Sequence, residues 1–170
     1  YCEKSKDHAI HGPYHDNEYG FPTANDNVLF EKLSLEIMQA GLSWLTVLKK
    51  RDALRMAFAE FDIKTVATFD SSDVSTLMNN TEIIRNRRKV LSIIENAKRI
   101  LLLKKSHNSF HSWLNSNHPK KKDDWTTLFR STFQFTGGQI TIEFLNSSGY
   151  LPYAHSRNCA VFKKILSCRP

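Results

Sequence analysis

The chain has 170 residues, with 24 Lys+Arg against 17 Asp+Glu, a formal net charge of +7 and a pI near 9.4. That length suits one domain able to bury a core without disulfides; the apolar stretches are too short and too charge-interrupted to span a bilayer, and three cysteines leave one unpaired, which argues against a disulfide framework. The basic balance favours a polyanionic partner through counterion release, and a start without a secretory pattern reads as cytoplasmic.

Residues 1–24, with Gly12, Pro13, Gly20 and Pro22 among polar residues, read as an irregular arm. Asn25 or Asp26 then caps a helix carrying Val28, Leu29, Leu33, Ile37 and Met38 at helical spacing, ended by Gly41. Ser43 caps the next, and a further helical stretch runs from Leu54 to Phe61. Asp62 and Ser71 or Ser72 are further caps, before a break at Asn79-Asn80-Thr81. The longest signal is Asn86–Leu103, with Val90, Leu91, Ile93, Ile94, Ala97, Ile100 and Leu101 on one face and Arg87, Lys89 and Lys98 left for solvent. A short helix over Phe110–Asn117, a loop at 119–124 and a helix over Thr132–Phe144 complete an all-α domain over 1–170. It divides into the arm, a helical core of about 25–150 and a C-terminal segment of about 151–170.

Three groups of residues carry chemistry. Met78 to Lys89 places Arg85, Arg87, Arg88 and Lys89 at a turn between two helical patterns, where helix-start N–H groups and mobile positive charge suit a phosphate; read alone, this is an ordinary helix turn with a solvated basic face. Glu36 lies between Leu35 and Ile37, followed by Gln39, Gly41, Ser43 and Trp44 at a helix corner. A carboxylate near an indole and tyrosines suits a pocket for a flat base, although a lone glutamate on an amphipathic helix is more commonly exposed. Cys2, His15, His155 and Cys159 would make a saturated two-Cys, two-His metal set; spacing by itself leaves open an unconnected thiol and histidine.

The runs Tyr14-His15-Asp16-Asn17-Glu18-Tyr19-Gly20, Leu35 to Arg51, Ile83-Ile84-Arg85-Asn86-Arg87 and His155-Ser156-Arg157-Asn158-Cys159 closely resemble the 3-methyladenine DNA glycosylase I family. The resemblance implies a helix-hairpin-helix fold whose structural zinc, on Cys2, His15, His155 and Cys159, joins the N- and C-terminal segments. It implies a monomeric bacterial enzyme that binds double-stranded DNA through Ile83, Ile84, Arg85, Asn86, Arg87 and Lys89. It further implies that Glu36 and Tyr14 contact the excised base while Tyr19 and Trp44 stack on it, with no lysine acting as a Schiff-base nucleophile. Lys4 and Tyr19 stand where the family often has tryptophans, and Glu82 where it usually has glycine. These departures motivate a second reading, a zinc-holding DNA-binding module that has lost or changed base excision.

Overall fold

The computed structural model describes residues 1–168, and these contain helices and turns but no strand. The arm is more ordered than its composition suggests. It holds α1 (Cys2–Ser5) and α2 (His11–Asn17), which pack on each other. Next comes α3 (Asp26–Gln39), opened by Asn25, whose side-chain oxygen accepts from the N–H groups of Asn27 and Val28. Asp26 ties that end to the rest of the domain, accepting from the His111 N–H and pairing with Lys104 at 2.8 Å.

Ser43 caps α4 (Trp44–Lys49), which runs directly into α5 (Arg51–Ala57). The helical stretch expected through Phe61 stops early, because Ala59, Glu60 and Phe61 take left-handed backbone angles (φ 51°, 54° and 54°). This turn lays Phe61 parallel to Phe58 at 5.6 Å. Asp62 caps α6 (Ile63–Ala67). The cap of α7 (Ser71–Asn79) is Asp70 instead of Ser71 or Ser72, since Asp70 and Asp73 exchange hydrogen bonds in a capping box.

The longest helix, α8 (Arg87–His107), is capped by Asn86 and packs against α3, α6, α7 and α9 (Phe110–Asn117). The expected loop at 119–124 gives way at Lys122 to α10 (Lys122–Thr132), a helix whose acidic first turn favours its N-terminal dipole and hides it among charged residues in the sequence. Its Trp125 and Phe129 join Phe110, Trp113, Phe133 and Phe144 in an aromatic half of the core. Only the second part of the segment 132–144 is helical: α11 (Gly138–Ser147) starts after an irregular Phe133–Gly137. Turns then lead to α12 (Phe162–Leu166). No helix among the described residues is long and apolar enough to cross a membrane.

Every residue of α3 from Leu29 to Met38 is buried. A helix enclosed on all sides must pair, or put to use, each charged group it buries. That constraint locates the site.

Candidate functional site: a carboxylate facing an aromatic cavity

Three of the buried side chains of α3 are ionisable. Glu31 accepts from Arg51 at 2.8 Å and from Arg55 at 2.6 Å, and Arg51 also forks onto both oxygens of Glu18. These guanidinium contacts outweigh burial and hold the Glu31 carboxyl below its usual range. The Lys32 ammonium donates to the carbonyls of Glu18, Phe21 and Ser147, tying the chain after α2 to the end of α11; burial lowers its pKa to about 8. Glu36 is only 5% exposed, yet no hydrogen bond or salt bridge reaches it among the described residues. Burial first, and then the charge of Glu143, raise its carboxyl pKa from 4.5 to about 8 against the pull of Lys32. A buried carboxyl left without a partner is costly, and this one borders a cavity.

The cavity, about 280 Å³, is lined by Tyr1, Tyr19, Glu36, Gln39, Trp44, Gln139 and Glu143. Tyr1 and Tyr19 meet edge to face at 5.1 Å. Tyr14 stands behind them, its ring 5.3 Å from Trp44 and 5.9 Å from Tyr19, with Arg51 5.8 Å from its centroid. Burial, followed by the Glu36 charge, holds the Tyr14 hydroxyl pKa well above its ordinary value. Glu36, Tyr14, Tyr19 and Trp44 are thus brought together, with Tyr14 in the supporting layer. Lys4 is exposed and does not line the cavity; the Tyr1 ring does. Sequence reasoning missed Tyr1, Gln139 and Glu143. The signal available for the last two was their i, i+4 spacing, across which the Gln139 amide donates to Glu143 at 3.0 Å. Larger hollows of about 750 and 930 Å³ border the arm and the C-terminal turns, and neither contains a buried, unpartnered charge.

Beside the cavity, Cys2, His15, His155 and Cys159 converge, their ligand atoms all within 4.8 Å of one another. His155 Nδ1 lies 3.7 Å from the Cys2 sulfur and 3.4 Å from that of Cys159, and His15 Nε2 lies 3.6 Å from Cys159. A tetrahedral site with bonds of about 2.0–2.3 Å has N···S edges of about 3.6 Å, so the donor set fits a metal ion. The other ring nitrogens are also engaged. His15 Nδ1 is 2.6 Å from Asp16 Oδ1, and His155 Nε2 donates to the Tyr19 carbonyl at 2.7 Å. Such outer contacts orient histidine ligands and set their tautomers. Burial opposes ionisation of Cys2, but contacts from His15, Ser156 and Cys159 prevail and lower its pKa to about 7.

The expected DNA-contact residues divide. Arg85, Asn86, Arg87 and Arg88 are exposed at the turn before α8, and Lys50 braces that turn by donating to the carbonyls of Thr81 and Glu82. Ile83 and Ile84 are core side chains. Lys89 corrects the expectation of a solvated cation: it is 4% exposed and its ammonium donates to the carbonyls of Met38 and Ala40, closing the C-terminus of α3.

Residues 4–128 match the family model described as methyladenine glycosylase. The chain belongs to this family. It is 42% identical over 119 residues to DNA-3-methyladenine glycosylase of Haemophilus influenzae, a match covering 69% of this chain and 64% of that protein's length. It is 36% identical over 155 residues to DNA-3-methyladenine glycosylase 1 of Escherichia coli, covering 80% of this chain and 83% of the relative. Among solved structures, 3-methyladenine DNA glycosylase I from Staphylococcus aureus superposes with a TM-score of 0.85 at 30% identity, over 94% of this chain and 95% of that one. A variant of a family enzyme in complex with 3-methyladenine superposes equally well, at 28% identity over 94% and 96% of the two chains. The helical fold is therefore that of these glycosylases.

Proposed function

We propose that this protein is a monofunctional DNA-3-methyladenine glycosylase, hydrolysing the N-glycosidic bond between an alkylated adenine and deoxyribose in double-stranded DNA. One observation carries the reading: Glu36 is buried, unpartnered and turned to a cavity walled by the rings of Tyr1, Tyr19 and Trp44. An aromatic wall takes a flat base, and the carboxylate awaits its hydrogen-bond donors and its charge.

The substrate does much of the chemistry. Methylation at N3 places positive charge on the base, so the base departs neutral while positive charge develops on the sugar. Glu36 accepts from the exocyclic amine and stabilises that charge, Trp44 and Tyr19 sandwich the base, and Tyr14, packed behind both rings, positions them. Water attacks the sugar as the base leaves. The reaction proposed is hydrolysis without a Schiff base.

The turn 80–86 between α7 and α8 fits a helix-hairpin-helix, with Arg85, Arg87 and Arg88 exposed for phosphate at a helix N-terminus. Zinc is the ion the two thiolates and two imidazoles select, and four protein ligands leave no position for a reacting water. Its chemistry is structural, cross-linking the arm to the C-terminal turns. Assay of free bases released from methylated duplex DNA by wild type and Glu36→Gln tests the reading; release by wild type only is expected.

A further inference from the structure

Helix α11 brings a second carboxylate to the cavity wall. It packs directly on α3, so Glu143 and Glu36 line one space from two different helices. Glu143 is held at both oxygens: the Tyr19 hydroxyl donates to Oε2 at 3.2 Å and the Gln139 amide to Oε1 at 3.0 Å. Each carboxylate oxygen accepts more than one hydrogen bond, so both keep acceptor capacity for a ligand. Glu36, by contrast, is nine-tenths buried and has no partner. When both are ionised, two carboxylates at one aromatic cavity repel each other, in line with the upward effect of Glu143 on the Glu36 carboxyl. An occupant carrying positive charge relieves that repulsion, whereas a neutral one leaves it in place.

We infer that Glu143 is a specificity-determining residue, a second base-facing carboxylate that, with Glu36, makes the cavity select purines bearing a positive charge over neutral purines of the same shape. The inference rests on the cavity being the base pocket of the proposed glycosylase. Tyr19 has two tasks in this arrangement, stacking with its ring and holding Glu143 with its hydroxyl. Gln139 donates to the other oxygen, so both oxygens are engaged on the cavity wall.

The test is equilibrium binding by tryptophan fluorescence at pH 8, Trp44 being the tryptophan that lines the cavity, with 3,9-dimethyladeninium as a permanently cationic probe and 3,9-dimethyl-3-deazaadenine, in which carbon replaces N3, as its neutral counterpart of the same shape. Wild type is expected to favour the cation by at least about tenfold. Glu143→Gln, which keeps size and hydrogen bonding but removes the charge, should lower that preference about fivefold or more. Glu143→Asp, which keeps the charge, should retain more of that preference than Glu143→Gln does. An unchanged preference in Glu143→Gln, or an equal loss in both variants, would overturn the inference. Thermal melting of each variant separates a pocket effect from misfolding, and a misfolded Glu143→Gln is replaced by Glu143→Ser, judged by the same ratio. Base release from methylated DNA, scored in parallel, separates this inference from the proposed activity. Charge preference without release removes the glycosylase reading alone, and release without Glu143-dependent preference removes this inference alone.

Discussion

The backbone carbonyl of Tyr19 accepts a hydrogen bond from Nε2 of His155 at 2.7 Å, so one residue serves two sites. Donation from Nε2 leaves Nδ1 of His155 as the lone-pair nitrogen facing the sulfurs of Cys2 and Cys159. At its other end, Tyr19 presents its ring to the aromatic cavity and its hydroxyl to Glu143. A metal bound to the four ligands would therefore fix the wall of the pocket without touching a base.

Metal removal should accordingly damage the pocket before it damages the core. Stripping the protein with a strong chelator is expected to weaken base binding by about tenfold or more, the scale on which outer contacts of metal sites act. The aromatic core around α8 and α10 should keep its helical signal. Restoring zinc should restore binding, and binding indifferent to chelation in a demonstrably metal-free sample would contradict the coupling.

Glu36 makes stability and base recognition oppose each other as pH changes. Its pKa is raised from 4.5 to about 8 in the fold, so between those values the native state holds a proton that the unfolded chain has lost. Stability from this group is full at low pH and declines as pH rises toward 8, by up to about 1.4 kcal/mol per unit. Pairing with a cationic base requires the ionised carboxylate, so base release at low substrate should rise across pH 6–8. Glu36→Gln should flatten both profiles and be more stable than wild type near pH 8, which denaturant titrations at several pH values would show. This is the usual opposition between a strained functional group and stability.

Lys89 and the neighbouring arginines should separate in a salt titration of DNA binding. Replacing Arg85 or Arg87 by Ala should reduce the slope of log affinity against log salt by about 0.9 for each phosphate no longer neutralised. Lys89→Met should leave the slope unchanged and instead lower the melting temperature, because the carbonyls of Met38 and Ala40 lose their donor. A slope change in Lys89→Met equal to those of the arginines would mean that the lysine leaves its buried position on DNA.

Gly20 is irreplaceable for two reasons that act together. Its φ of +85° disfavours any side chain, and an added Cβ would lie 2.7 Å from the Ala154 Cβ and 2.8 Å from the Ile165 Cδ1. Gly20→Ala should cost about 2–4 kcal/mol by thermal denaturation, the sum of backbone strain and overpacking. The clash falls on the turns carrying His155, so metal affinity should fall as well.

Much of the site was legible because its residues lie in distinctive local runs. Glu36, Trp44, Tyr14 and Tyr19 stand in two such runs, and α3, α4 and α6 announce themselves by their caps Asn25, Ser43 and Asp62. What the sequence hid depends on tertiary contact. Lys89 looks like any other cation at a helix start until α3 ends against it. Glu143 looks like a solvent residue of an amphipathic helix until Tyr19, distant in the chain, donates to it. Tyr1 becomes a wall of the cavity only when α1 and α2 fold the arm back. The opening turn of α10 was obscured by its own charges, though Trp125, Leu128 and Phe129 carry a helical period.

The central claim is that Glu36 faces a base pocket used for excision, and release of free bases from methylated duplex DNA, separated by chromatography, tests it most directly. Wild type should liberate 3-methyladenine, and Glu36→Gln should reduce release by about a hundredfold or more, near 3 kcal/mol of transition-state stabilisation, while DNA binding falls only slightly. Equal release by the two proteins, or none from wild type that binds zinc and DNA, would contradict it.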